Sequence, residues 1–535
     1  MKSNMMIMVA LAVVIMFIIL LFVFHVRWRV LSLSIVFVSV IATLGFMGTM
    51  SVPMTMVSMA VFPILIGLGI DYSIQLQNRY EEEKSVKTTL TQIGKSVLIA
   101  VIATVLGFIS LYSSSVPMIK DFGKMLTIGV IISFIGSVFL MMPILHLRDN
   151  SLDKVEKDIK KKVEKETRLD KMLTATTKFV LKFSIPIVVV AIALAGVGFS
   201  VDSKIGVETD IETFMPQDME ALKEIHEIRD VVGSTNQMAI YMQADEMITK
   251  ENIAWIDSIT IDIENKFKEK VVDIKSISTL VANITSEDLD FDQYLEVTKD
   301  LPVTQKKMFV NEDSNKSVIL LNISHMSTEE LKTFVSDLET IIDDAPMDVV
   351  VTGQSVLDVE MVKGLTEGRV KMTVLGLILV FLALLIMYRN LAKAFIPIFP
   401  IELIIGMSAG IMYLLGISYT PITATLGALV LGMGTEMTIM LLERYIEERE
   451  IGHDKIEAML TTVTKIGKAT LASGLTTIGG FSVLMISQFV ILKDFGLMTV
   501  INISLALLST FIVLPIIIVL FDRFIIKQKK VKKVI

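Results

Sequence analysis

Long apolar runs separated by short polar breaks fill most of the chain. Eleven runs reach the roughly 20 residues an α-helix needs to cross a bilayer. They lie at about 5–26, 30–50, 54–76, 96–115, 124–147, 179–201, 371–388, 392–416, 421–443, 467–488 and 496–522. The first is too long for a signal peptide and a second follows at once, so it reads as a true span. One region breaks the pattern. Residues 202–366 are polar, and within them MAIYMQA (238–244), VVDIKSIS (271–278), SVILLNIS (317–324) and MDVVVTG (347–353) read as strands. Residues 249–267 and 327–343 read as amphipathic helices, the second opened by the capping-box pair Ser327 and Glu330. The order predicts a ferredoxin-like sandwich. Residues 283–312 read as a helical insertion after the second strand, either a mobile flap or an ordinary surface excursion.

The apolar runs repeat. GLGIDYSIQLQNRYEEE (67–83) matches GMGTEMTIMLLERYIEE (432–448) at an offset of 365. IGKSVLIAVIATVLGF (93–108) matches IGKATLASGLTTIGGF (466–481), and IKDFG (119–123) matches LKDFG (492–496), both at an offset of 373. Three matched blocks in order mark a duplicated helical bundle with the same orientation in both copies, a parallel repeat. The predicted fold is a polytopic α-helical membrane protein of about eleven spans in two parallel bundles with one α+β ferredoxin-like extracytoplasmic domain. The expected divisions are a first bundle at 1–147 and a basic cytoplasmic linker at 148–178. A sixth span follows at 179–201, then the outer domain at 202–366. The second bundle covers 367–523, and a basic tail covers 524–535.

Composition agrees with a membrane protein: 53% of 535 residues are hydrophobic and the mean hydropathy is +0.67. The net charge of −7 says little, because the charges are segregated. Arg27, Arg29, the 148–182 segment, Arg389, Lys393 and the tail lysines from Lys527 to Lys533 fall on one side if the spans alternate. That side is then the cytoplasm of a cell-membrane protein, with the N-terminus outside and the C-terminus inside. The linker and tail are expected either against anionic lipid or in solvent. The chain has no cysteine, which excludes disulfides, thiol chemistry and cysteine-based metal sites. Its five histidines show no ligand spacing, so no metal or organic cofactor is expected, and neither is a nucleic-acid partner.

Asp71 and Glu436 are acids within apolar spans, and such residues usually mark ion pathways or proton relays. Gly67 lies four residues before Asp71 on the same helix face. Gly67, Gly69, Gly432 and Gly434 predict close helix approach. A pseudo-twofold between the bundles would bring Asp71 and Glu436 together, and two carboxylates sharing one site cannot both ionise cheaply. Such a pair can load and release protons, with Tyr72 beside it. Thr104, Thr470, Ser473, Thr476 and Thr477 on the following spans offer hydroxyls, either for a relay or for helix packing. Glu402 is either functional or simply solvated near the inner surface. Arg79 and Arg444 read as interface anchors. The GxGD signature of intramembrane aspartyl proteases is not matched, since GLGID is one residue longer. Phosphate-loop, zincin and serine-hydrolase motifs are lacking. An enzyme is therefore not expected.

The two acid blocks and the paired GKSVLIAVIATVLGFISL and GKATLASGLTTIGGFSVL resemble the resistance–nodulation–division superfamily, in its mycobacterial-membrane-protein-large type. The resemblance covers nearly the whole chain. It implies proton-driven export of lipids or other hydrophobic or amphiphilic molecules, with protons as coupling ion. The family's Asp-Tyr pair falls on Asp71 and Tyr72. Its second acid falls on Glu436, with Met437 where tyrosine is expected. Family members usually have twelve spans and two outer domains. The resemblance therefore implies a partner chain supplying a first span and outer domain, or a homo-oligomer, beside membrane lipid. Two alternatives stay open: a non-transporting sensor or scaffold like the sterol-sensing membrane proteins, and an auxiliary subunit of protein export.

Overall fold

The computed structural model describes residues 2–24, 26, 28–53, 55–150, 168–234, 236–285 and 290–526. Most of the basic linker and nearly all of the basic tail lie outside the described residues. The chain forms two compact units, one of Met1–Gly206 with Leu365–Ile535 and one of Val207–Gly364.

The first unit is helical. Its opening half holds α1 (Lys2–Val23), α2 (Leu31–Thr49), α3 (Met56–Glu83), α4 (Gly94–Ile109), α5 (Pro117–Gly136) and α6 (Ser184–Val201). The α5 helix runs on through a π-helical turn at Ser137–Met141 into Met142–Asn150. Among the described residues, ten helices are long and apolar enough to cross a membrane. The described side chains of α1 cover Ala10–Val23, an apolar stretch shorter than a full span.

The second unit contains α7 (Ile211–Phe214), α8 (Glu220–Val232), β1 (Asn236–Gln243), α9 (Lys250–Lys266), β2 (Val271–Lys275), β3 (Lys316–Ile323), α10 (Thr328–Ile342) and β4 (Asp348–Gly353). The sheet order is β2-β3-β1-β4 with every pairing antiparallel, the ferredoxin-like arrangement that the strand and helix order predicts. Register places Met238 opposite Leu321 and Ile240 opposite Ile319. Period-2 alternation turns all four inward, where they meet Ile256 and Ile263 of α9 and Phe334 and Leu338 of α10. Each such side chain contributes about 1.5–3 kcal/mol through burial. Ser327 and Glu330 form the expected reciprocal cap on α10. Three short helices, Ile277–Thr285, Phe291–Asp300 and Val303–Lys306, make up the insertion between β2 and β3.

The chain returns through α11 (Gln354–Tyr388), α12 (Phe399–Leu415), α13 (Leu426–Ile451), α14 (Lys455–Ser482) and α15 (Val490–Ile512). Local chemistry sets these boundaries. Pro400 opens α12 in the first turn, where its missing N–H costs nothing. Gly416 and Gly452 close α12 and α13 in the left-handed conformation at φ 66° and 114°. The Asp454 side chain opens α14 by accepting from the amides of Ile456 (2.7 Å) and Glu457 (2.9 Å). Helices α3 and α13, the carriers of the repeated acid block, are buried nearly all round. A helix so placed presents polar groups to protein rather than to lipid.

Candidate functional site

The two repeats clasp each other crosswise. The α3 helix packs on α14 of the other half, and α13 packs on α4. Thr477 Oγ1 on α14 donates to the Gly67 carbonyl at 2.9 Å, and Thr104 Oγ1 on α4 donates to the Gly432 carbonyl at 2.9 Å. These are the same bond in each repeat. Both glycines allow it. A Cβ on Gly67 would come within 3.3 Å of Thr477 Cγ2, and one on Gly432 within 2.9 Å of the Phe108 ring. Gly69 and Gly434 serve packing within their own halves, against Ser133 and Ile401 respectively.

One helical turn beyond Gly67, Asp71 is buried. It accepts hydrogen bonds from Ser473 and, at 3.4 Å, from Thr477. Glu436 is likewise buried and lies close enough to Asp71 for the two charges to repel. Its Oε2 has no hydrogen-bond partner among the described residues. The fully buried Tyr72 has its hydroxyl within electrostatic reach of both acids, and it makes no hydrogen bond of ordinary geometry among the described residues. Its ring meets Phe134 edge-on at 6.3 Å. The five predicted hydroxyls separate into different roles. Ser473 and Thr477 reach Asp71, and Thr104 is engaged by Gly432. Thr476 bonds back to the carbonyls of Ala472 (2.9 Å) and Ser473 (2.6 Å). Thr470 Oγ1 is buried without a partner among the described residues. The structure thus gathers Asp71, Tyr72, Glu436, Ser473 and Thr477 around one buried polar centre.

Three further groups stand outside the predicted site, two that the sequence singled out without placing them there and one that it missed. Arg79 and Arg444 are not surface anchors, for each guanidinium is nearly enclosed. Arg79 bonds Glu82 (3.1 Å) and Glu83 (3.1 Å) in its own repeat and crosses to Glu447 (2.7 Å). Arg444 repeats the pattern with Glu447 (2.9 Å) and Glu448 (2.8 Å). The signal was present in the matched RYEEE and RYIEE ends, once the repeats are known to meet there. Glu402 lines a cavity of about 210 Å³ with Thr373, Ser408 and Tyr419. At that cavity Asp202 accepts a two-pronged bond from Arg369 (3.0 and 2.8 Å) and one from Tyr419 Oη (2.7 Å). The third group is Asn502 on α15, buried with neither amide atom partnered among the described residues.

Comparison with known proteins places this arrangement. The profile of the MMPL family matches residues 1–163 and 213–534. The membrane protein MJ1562 of Methanocaldococcus jannaschii is 26% identical over 333 residues, covering 59% of this chain and 86% of its own length. The sulfolipid-1 exporter MmpL8 of Mycobacterium tuberculosis is 25% identical over 173 residues, 32% of this chain but only 16% of the exporter. Among solved structures, the hedgehog release protein Disp of the water bear Hypsibius dujardini aligns with a TM-score of 0.73 at 12% identity. It covers 97% of this chain and 70% of Disp. That likeness concerns the fold alone.

Proposed function

The chain belongs to the MMPL family, and from that membership we propose that it exports lipids or other hydrophobic or amphiphilic molecules, driven by the proton-motive force. The observation that carries the reading is the buried pair of Asp71 and Glu436 at the crossing of the repeats, each within the other's field. Two acids so placed hold one proton more readily than none, and release of that proton changes the charge at the point where the halves clasp. Tyr72, within electrostatic reach of both, passes or orients the proton. No organic cofactor is required, since the proton is the coupling ion.

A polar cavity of about 310 Å³ supports a route for protons. It is lined by Gln75, Arg79, Ser96, Glu443 and Arg444, with Gln75 one helical turn from Asp71. We assign this end to the cytoplasm of a plasma-membrane protein, with the N-terminus outside, because the basic loops fall on the same side. An apolar cleft of about 510 Å³ among Phe179, Phe183, Val190, Leu403, Met407 and Leu508 supports an acyl-chain substrate. The proposal includes assembly with a second copy or another chain.

Proteoliposomes with an internal pH dye and a fluorescent lipid test the reading. Wild type should dissipate an imposed proton gradient and move lipid, whereas Asp71→Asn and Glu436→Gln should do neither. If Asp71→Asn keeps wild-type proton flux and lipid movement, the relay assignment fails. If wild type binds lipid and carries no protons, the sensor or scaffold reading replaces it.

A further inference from the structure

We propose that Asp210, Glu212 and His325 of the α+β unit form a binding site for a divalent transition metal, with Zn²⁺ the ion that best suits the donors. Asp210 and Glu212 lie two residues apart but His325 is 113 residues further on, which hides the site from any reading of spacing. Asp210 precedes α7, Glu212 lies in α7, His226 lies in α8, and His325 follows β3.

The distances carry the argument. His226 Nε2 lies 3.4 Å from Glu212 Oε2, and His325 Nε2 lies 3.5 Å from Asp210 Oδ2. Both are long for a hydrogen bond, where N···O is about 2.7–3.2 Å. The His325–Asp210 separation fits two ligands of one tetrahedral ion. With Zn–N and Zn–O bonds of about 2.0–2.1 Å, ligand atoms sit about 3.3–3.4 Å apart. One ligand atom each from Asp210, Glu212 and His325 lies within 4.8 Å of the others. One nitrogen and two oxygens, with a fourth position open to water, is a donor mix suited to zinc, while His226 pairs with Glu212 beside it.

The carboxylates are also aimed. Asp210 uses Oδ1 to accept the Glu212 amide at 2.9 Å, which turns Oδ2 toward His325. Glu212 uses Oε1 to accept from Arg229 at 2.6 Å, which turns Oε2 toward His226. One oxygen fixed by a supporting bond and the other presented to the ion is how outer groups orient metal ligands. The local field favours a cation. Glu208 accepts the Asp210 amide at 2.9 Å, and Asp358 lies within electrostatic reach of Asp210, so four carboxylates gather near Arg229. A bound ion would fasten α7 to the loop between β3 and α10, beside which Thr328, the first residue of α10, donates to Glu208 at 3.0 Å.

The test uses the full-length protein in detergent, purified without a histidine tag and stripped with a chelator. After Zn²⁺ addition and gel filtration, elemental analysis should find one zinc per chain, and Asp210→Asn and His325→Gln should each lose it. His325 is partly solvent-exposed, so its replacement leaves the core intact. Co²⁺ added to wild type, which needs no variant, should give the visible absorption of a four-coordinate site. Zinc absent from wild type, equal zinc in wild type and both variants, or a six-coordinate Co²⁺ spectrum would each overturn the proposal.

Discussion

Replacing Gly198 with alanine should loosen the first unit far more than the same change two residues earlier. Helix α6 buries only Ala191, Ala195 and Gly198, one narrow stripe facing α12. A Cβ on Gly198 would fall inside the carbonyl oxygen of Gly406, 2.6 Å from its carbon and 3.1 Å from the Gly410 nitrogen. Ordinary carbon contacts are about 3.5–4.0 Å, so α6 must retreat from α12 by about 1 Å or more. The obstacle is backbone and has no rotamer to adopt. A gap of about 0.5–1 Å already forfeits a quarter to a half of each contact, and overpacking costs about 1–3 kcal/mol. Gly198→Ala should fall at the upper end, about 3 kcal/mol. A Cβ on Gly196 meets nothing within 4 Å, so Gly196→Ala should be neutral or gain up to about 1 kcal/mol from helix propensity. The damage should extend one turn onward. Asp202 would lose its alignment with Arg369 and Tyr419, now at 2.7–3.0 Å. Thermal unfolding in detergent, followed by intrinsic fluorescence, compares the two variants directly. Equal midpoints for Gly198→Ala and Gly196→Ala would refute the close-contact account of this interface.

Two further outcomes follow from the crossing of the repeats. Thr477→Val removes both a bond to the Gly67 carbonyl and one to Asp71, and should destabilise by about 1–3 kcal/mol while slowing proton flux. Thr104→Val removes the bond to Gly432 rather than one to Asp71, should cost about 0.5–1.5 kcal/mol, and should leave proton flux closer to wild type in the liposome assay. Arg79→Gln should cost about 1–3 kcal/mol in unfolding free energy, because Glu82, Glu83 and Glu447 lose a shared cation. Adding Glu447→Gln should recover part of that loss, and a double-mutant cycle with no coupling between the two would remove this ion pair from the clasp.

The spans, the duplication and the α+β order were legible because each depends on a local period. Met238, Ile240 and Met242 alternate, and the acid blocks share 8 of 17 residues in register. The crosswise clasp was not legible. Pseudo-twofold reasoning brings Asp71 and Glu436 together, but it does not say that Ser473 and Thr477 come from the opposite half, since helix partners are set by three-dimensional packing. Arg79 and Arg444 looked like interface anchors because charged helix ends usually are. Only the meeting of both ends buries them. Gly198 was missed although a signal existed: Gly406 and Gly410 on its partner helix are spaced four apart, the small-residue spacing of close membrane-helix pairs. His226 and His325 carried no signal, because only the fold brings each beside its carboxylate.

The two repeats keep the clasp and differ in the chemistry it encloses. Thr477 and Thr104 make one bond in duplicate, so the scaffold at the crossing is twofold. The donors around the acids are not. The positions matching Thr470, Ser473 and Thr476 in the first half are Val97, Ala100 and Ala103, which offer no hydroxyl to Glu436. Tyr72 stands beside Asp71, whereas its counterpart is Met437. A twofold site would let either acid play either part. Here the side-chain donors reach one acid, and the other keeps an oxygen unpaired in a buried setting, an arrangement that costs about 1–3 kcal/mol for a neutral polar group and more for a charged one. A proton on Glu436 Oε2 removes the charge but not the need for a partner. Tyr72 Oη, also unpaired, is the nearby group that can answer it. The crossing is therefore twofold in its scaffold and unequal in its donors: Ser473 and Thr477 hold Asp71, and Tyr72 is the hydroxyl within electrostatic reach of Glu436.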